Sequence, residues 1–114
     1  LVIDNELFIL DIFSHALCNN GYNVQTATSN DDAMSYLSKE RFDAVLLDVH
    51  MKGISFTDFI RYIRSDYQYS SVPLIAITGV PDAISSTDRL EIQGILEKPF
   101  TPDVLIQVVD DIIH

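Results

Sequence analysis

The sequence predicts an α/β fold: a doubly wound, five-stranded parallel sheet with helices on both faces. Three observations lead there. Five short apolar runs alternate strictly with amphipathic stretches. Several of the runs are continuously apolar, as strands covered on both faces must be. The 114 residues, 47% of them hydrophobic, suit one domain that buries about two thirds of its unfolded surface. Strict β-α alternation then implies right-handed crossovers.

Leu1–Asp4 is the first strand run. The helix after it places Ile9, Ile12, Phe13, Ala16 and Leu17 on one stripe and stops at Asn20-Gly21. Asn23–Ala27 is the weakest strand. Ser29 to Asp32 has capping-box spacing ahead of Ala33 and Leu37. Ala44–Asp48 is the third strand, and the helix that follows stacks Phe56, Phe59, Ile60 and Ile63. Leu74–Thr78 is the fourth strand, and the helix after Pro81 is polar and faint. Gly94–Glu97 is the fifth. The last helix opens with Thr101-Pro102-Asp103, a cap, a first-turn proline and an acid suited to the helix dipole. No repeat or linker divides the chain, so residues 1–114 are expected to be one domain. Opening on apolar Leu1-Val2-Ile3 without a methionine, it reads as a segment of something longer.

Seven Lys and Arg against seventeen Asp and Glu give a net charge of −10. Such a segment repels phosphate backbones, so direct nucleic-acid binding is not expected. No apolar run approaches the roughly 18 residues of a membrane span. The single cysteine, Cys18, permits no internal disulfide and suits a reducing, cytoplasmic setting. His15, His50 and His114 have no zinc spacing.

In open parallel sheets, ligands bind beyond the carboxyl ends of the strands. The residues there are Asp4-Asn5-Glu6, Asp48, Thr78-Gly79 and Glu97-Lys98-Pro99. Carboxylate and amide oxygens without His or Cys partners suit a hard cation, Mg²⁺ or Mn²⁺. Lys98 adds one positive charge and Thr78 a hydroxyl. Acid, metal, lysine and hydroxyl around one point describe a phosphoryl site with a carboxylate nucleophile. Strand ends are often polar simply because the chain leaves the core there; four convergent groups argue against that explanation.

Four segments carry a resemblance: Leu-Val-Ile-Asp-Asn-Glu (1–6), Leu-Leu-Asp-Val-His-Met (46–51) with its glycine turn at Gly53, Ile-Ala-Ile-Thr-Gly (75–79) and Glu-Lys-Pro-Phe (97–100). In this order and at these spacings they resemble the receiver domain of two-component response regulators, over essentially the whole chain. The resemblance implies a flavodoxin-like (β-α)₅ fold with strand order 2-1-3-4-5 and a cis Lys98-Pro99 peptide. It makes Asp48 the acceptor of a phosphoryl group from a histidine kinase or histidine phosphotransfer protein. Asp4, Asp48, the Asn5 position and the backbone carbonyl of His50 would hold Mg²⁺ (or Mn²⁺). Lys98 would pair with a phosphoryl oxygen, and Thr78 would hydrogen-bond the phosphoryl group and shift. Such a domain is a signalling switch that catalyses only its own phosphorylation and slow hydrolysis, and is not otherwise an enzyme.

Several residues depart from the family pattern. Asn5 stands where a second acid usually binds the metal, which is expected to weaken Mg²⁺ binding, with Glu6 as the nearest compensating acid. Ile95 stands where many receivers carry a switching aromatic. Lys52 and Phe56 replace a common proline and glycine. His50 and Val80 occupy positions that tune phosphoryl lifetime.

Leu7, Phe8 and Leu10 lie outside the first helix's core stripe beside Asp4, as a docking surface for the phosphodonor would. Ile106 and Ile113 widen the apolar arc of the last helix, which suits a homodimer through the face formed by the fourth helix, fifth strand and last helix, or an interdomain contact. Two alternatives compete with the switch. One is a pseudo-receiver, an interaction module in which Asn5 impairs metal binding and phosphorylation. The other is a small aspartate-nucleophile phosphatase, disfavoured by Asp48-Val49-His50 and by the lack of room for a cap.

Overall fold

In the computed structural model, which describes all residues 1–114, the five apolar runs become the strands β1 (Val2–Ile3), β2 (Thr26–Ala27), β3 (Val45–Asp48), β4 (Leu74–Thr78) and β5 (Gly94–Glu97). All pair in parallel, in the order β2-β1-β3-β4-β5. This is the expected flavodoxin-like topology. The helices are α1 (Leu7–Cys18), α2 (Asn30–Lys39), α3 (Phe56–Ser65), α4 (Ser86–Arg89) and α5 (Pro102–Ile113). β1 and β2, at two residues each, are shorter than their apolar runs.

Continuous apolar runs arise because successive strand residues face opposite layers. Ile3, Val45, Leu47 and Leu74 pack with Ala33 and Leu37 of α2 and Phe59, Ile60 and Ile63 of α3. Val2, Leu46, Ile75, Ile77 and Leu96 pack with α1 and α5 on the other face. Ser29, Ser55 and Thr101 cap α2, α3 and α5, each side chain accepting from the backbone N–H three residues on.

One helix, α1, differs from expectation. The centre of the α1 stripe is Leu10, Phe13 and Leu17, while Ile9, Ile12 and Ala16 are only half-buried. The helix is therefore turned so that Leu10, 3% exposed, enters the core between the sheet and α5. This removes Leu10 from the predicted docking surface. Leu7 and Phe8 remain 70% and 73% exposed. The faint fourth helix is a single turn preceded by a 3-10 turn at Pro81–Ala83, as expected where no apolar stripe exists to dock it. Polar contacts hold it instead: Thr57 Oγ1 donates to Asp88 at 2.7 Å, and Arg64 pairs with Glu91 at 3.4 Å. On α5, Ile106 and Ile113 are half-buried against the core shared with α1. Much of the arc's extra width is thus absorbed inside the domain.

The Tyr22 hydroxyl donates to the carboxylate of Asp110 on α5, tying the turn after α1 to the last helix. Partial burial, and then this bond, push the Tyr22 pKa up to about 12. Raised pKa means the fold favours the protonated phenol, so the contribution is complete below about pH 10 and is lost as pH rises through 12. Tyr22→Phe is expected to lose about 1 kcal/mol at neutral pH. Urea unfolding of both proteins should show the difference fading over that alkaline window. A constant difference would place the effect in packing instead.

Candidate functional site

Parallel strands all point their carboxyl ends to one edge, and there the predicted residues meet. Asp4 leaves β1 just after its N–H donates to Ala27 at 3.1 Å, Asp48 ends β3 and Thr78 ends β4. Each uses one side-chain oxygen to turn its own backbone: Asp4 Oδ1 accepts from the Glu6 N–H at 3.0 Å, Asp48 Oδ1 from His50 at 2.9 Å, and Thr78 Oγ1 from Val80 at 3.0 Å. Such Asx and hydroxyl turns are a local property of these residue types. The consequence is chemical. Each carboxylate has one oxygen fixed by the backbone and a second turned to the site.

Lys98 joins these second oxygens. Its backbone N–H donates to the Thr78 carbonyl at 2.9 Å, and the Lys98-Pro99 peptide is cis, as the resemblance implied. Nζ lies 3.2 Å from Asp4 Oδ2, 3.4 Å from Asp48 Oδ2 and 3.7 Å from Glu6 Oε1. Asp4 and Thr78 are fully buried and Asp48 nearly so, whereas the Lys98 side chain is 23% exposed. Burial raises the Asp4 pKa. The Glu6 N–H opposes this, Asp48 adds to it, and Lys98 opposes it; the net direction is upward. Burial alone would lower the Lys98 pKa, but Asp4 and Asp48, with Glu6, outweigh it and raise it. Both directions describe a site short of positive charge.

The donor set fits a hard cation. Asp4 Oδ2 is buried without a hydrogen bond, although Lys98 lies beside it, and the other groups are carboxylate and carbonyl oxygens. No three His, Cys, Asp or Glu side chains are arranged to hold a metal ion among themselves; Asp4, Asp48 and Glu6 gather on Lys98 Nζ instead. Asn5, the weakened position, is exposed, as is His50, and Ile95 is half-buried on β5. The apolar-lined cavity of about 300 Å³ beside Leu17, Tyr22, Phe42 and Val109 lies at the opposite, amino ends of the strands.

Asn30 was not picked out from the sequence. It is buried at the start of α2, and its amide donates to the carbonyls of Lys52 at 3.0 Å and Ile54 at 3.3 Å, on either side of Gly53. Gly53 has φ +97°, a conformation natural to glycine. The amide thereby braces the loop that carries His50. An asparagine just after a capping serine was the only signal in the sequence.

The family model described as "Response regulator receiver domain" matches residues 1–110. The transcriptional regulatory protein GlrR of Escherichia coli is 28% identical over 97% of this chain, which spans 25% of that protein. The structure of the chemotaxis response regulator CheY4 of Vibrio cholerae superposes with a TM-score of 0.86 and 28% identity, covering 97% of this chain and 94% of the other. The receiver domain of the sensor histidine kinase PA1611 of Pseudomonas aeruginosa, whose structure has a magnesium ion coordinated in the active site cleft, shares the fold at a TM-score of 0.83 and 22% identity, over 98% and 93% of the two chains. With the strand order and the acids, threonine and lysine gathered at one sheet edge, these similarities show that the chain belongs to the response regulator receiver domain family of two-component signalling.

Proposed function

We propose that the domain accepts a phosphoryl group on Asp48, in a Mg²⁺-dependent step, from the phosphohistidine of a histidine kinase or histidine phosphotransfer protein. The observation that carries this reading is the Asp48 carboxylate, which has Oδ1 tied to the His50 N–H and Oδ2 facing Lys98. An Asp48 carboxylate oxygen attacks phosphorus, and the P–N bond to the donor imidazole breaks with its electron pair passing to the imidazole. Mg²⁺ held by Asp4, Asp48, the His50 carbonyl and, weakly, Asn5 would supply charge neutralisation at the phosphoryl oxygens. Lys98 stands ready to pair with one of those oxygens. Thr78 Oγ1 already accepts from Val80, which leaves its own proton to donate to another.

Movement of Thr78 is passed on through its carbonyl, which accepts from Lys98, the residue just after the adjoining strand β5. The surface of β4, α4, β5 and α5 would then change for an output domain or partner. Ile95 makes this coupling one without a rotating aromatic ring. Leu7 and Phe8, exposed beside Asp4, would receive the phosphodonor, and the α4-β5-α5 face would carry a homodimer contact. No helix is long and apolar enough to cross a membrane, and the cytoplasm is the proposed setting. The second reading, an interaction module without phosphate turnover, draws on the neutral, exposed Asn5.

Incubation with acetyl phosphate and Mg²⁺, followed by intact-mass measurement, distinguishes the two. One added phosphate in the wild type and none in Asp48→Ala is the expected result. An unmodified wild type would favour the interaction module, and phosphate retained by Asp48→Ala would move the acceptor elsewhere.

A further inference from the structure

Residues 50–54 lie between β3 and α3, outside any helix or strand, and none of their backbone groups pairs with another backbone group. A loop so placed takes its shape from whatever else satisfies its N–H and carbonyl groups. Here two side chains do so. Asp48 Oδ1 accepts from the His50 N–H at 2.9 Å, and Asn30 Nδ2 donates to the carbonyls of Lys52 at 3.0 Å and Ile54 at 3.3 Å. Only Met51 separates His50 from Lys52. The loop that holds the Asp48 carboxylate is thus itself held from α2. Stability does not explain the amide. Asn30 is 6% exposed, yet its Oδ1 has no hydrogen-bond partner, an unmet desolvation cost that a small apolar residue would avoid. Lys52 and Gly53 are exposed, so water would solvate the loop in its absence.

We propose that Asn30 is a positioning residue for phosphoryl transfer: by fixing the carbonyls of Lys52 and Ile54, it keeps the His50 N–H on Asp48 Oδ1 and so orients the attacking carboxylate. This deepens the phosphoacceptor reading and, in its kinetic part, rests on it. Asn30 touches neither the phosphoryl group nor the acids around Lys98; it acts through the loop alone. Orientation of a nucleophile is worth much in rate, since a displacement of about 1 Å can cost about a hundredfold. Without the amide, the Lys52 and Ile54 carbonyls turn to water, the loop relaxes, and the Asp48 carboxylate rotates more freely.

Two readouts test this, one of them without phosphotransfer. In an amide nitrogen–proton correlation spectrum, the His50 resonance reports its bond to Asp48. Asn30→Ala should move that resonance towards its position in Asp48→Ala, while the Glu6 amide, held by Asp4 in the same way, stays in place. With acetyl phosphate and Mg²⁺, the maximum rate of phosphorylation should fall at least about tenfold while KM stays within about twofold. The urea midpoint should shift by less than about 0.5 M. Asn30→Asp, of equal size but without the donor, should slow the reaction as much. An unmoved His50 resonance, or either variant phosphorylated at the wild-type rate, overturns the proposal. So does a urea midpoint lowered by more than about 0.5 M in both variants, which would make Asn30 a support of the fold. If the His50 resonance moves as expected but the wild type takes up no phosphate, the phosphoacceptor reading falls and only the hold of Asn30 on the loop stands.

Discussion

Replacing Lys98 with methionine is expected to destabilise the protein by about 2–3 kcal/mol near neutral pH and to abolish measurable phosphorylation. Breaking a fully buried ion pair costs about 3–5 kcal/mol; the smaller figure reflects the part of Lys98 that remains in solvent. The cause is the pair left behind. Asp4 and Asp48 would face each other at the carboxyl end of the sheet with no counter-ion, and methionine fills the volume without replacing the charge.

The pH dependence follows from the direction of the shifts. The Lys98 pKa is raised in the fold, so its contribution is complete below the ordinary lysine value of about 10.4 and is lost only as pH rises through the still higher folded value. At neutral pH it is fully present in the wild type. In Lys98→Met the Asp4 carboxyl, already raised by burial, loses the ammonium that opposed that rise and favours protonation further. The deficit should therefore shrink as pH falls from about 7 to 4. Mg²⁺ should restore part of it, because a ligand that binds only the folded state stabilises it. Urea unfolding across that range, with and without Mg²⁺, reads all three effects. A deficit that is the same at every pH would mean that packing, not charge, is what Lys98 supplies.

Phe13→Ala is expected to cost about 4 kcal/mol, within the usual 3–5 for emptying a phenylalanine site, out of the 5–15 kcal/mol typical of a whole domain. Phe13 is fully buried, and its ring lies 5.2 Å from that of Phe100, tilted by 51°. Phe100 follows the Lys98-Pro99 peptide, so this contact seats the loop that carries the lysine. A cavity there should loosen the site as well as the core. With a urea slope of about 2 kcal/mol per M, the unfolding midpoint should fall by about 2 M, and phosphorylation by acetyl phosphate should slow in the protein that remains folded. A midpoint within about 0.5 M of wild type would contradict the placement of Phe13, and full phosphorylation activity would sever its link to Lys98.

Much of this was legible in the chain because it is local. Caps at Ser29 and Thr101, the glycine at Gly53 and the polar residues that end each apolar run all depend on near neighbours, and a parallel sheet brings such ends to one edge. The side on which α1 packs was legible only in part. Phe13 and Leu17 of the predicted stripe are at its centre, but Leu10 joins them while Ile9, Ile12 and Ala16 stay at its margin. α4 left no periodic signal because polar contacts from α3 hold it.

Residue order by itself determined the α/β class, the family resemblance and the quartet Asp4, Asp48, Thr78 and Lys98, together with the missing acid at Asn5. Tertiary structure alone decided what those groups do to one another. Lys98 is 94 residues from Asp4 and 50 from Asp48 in sequence, yet its ammonium lies within 3.4 Å of both. Likewise, Arg64 reaches the carbonyls of Tyr69, Val72 and Glu91 to fasten α3 to the segment leading into β4 and to the turn after α4. Spacing can show that charges share an edge, but their separation and burial set the electrostatic energy, and those exist only once the sheet has closed.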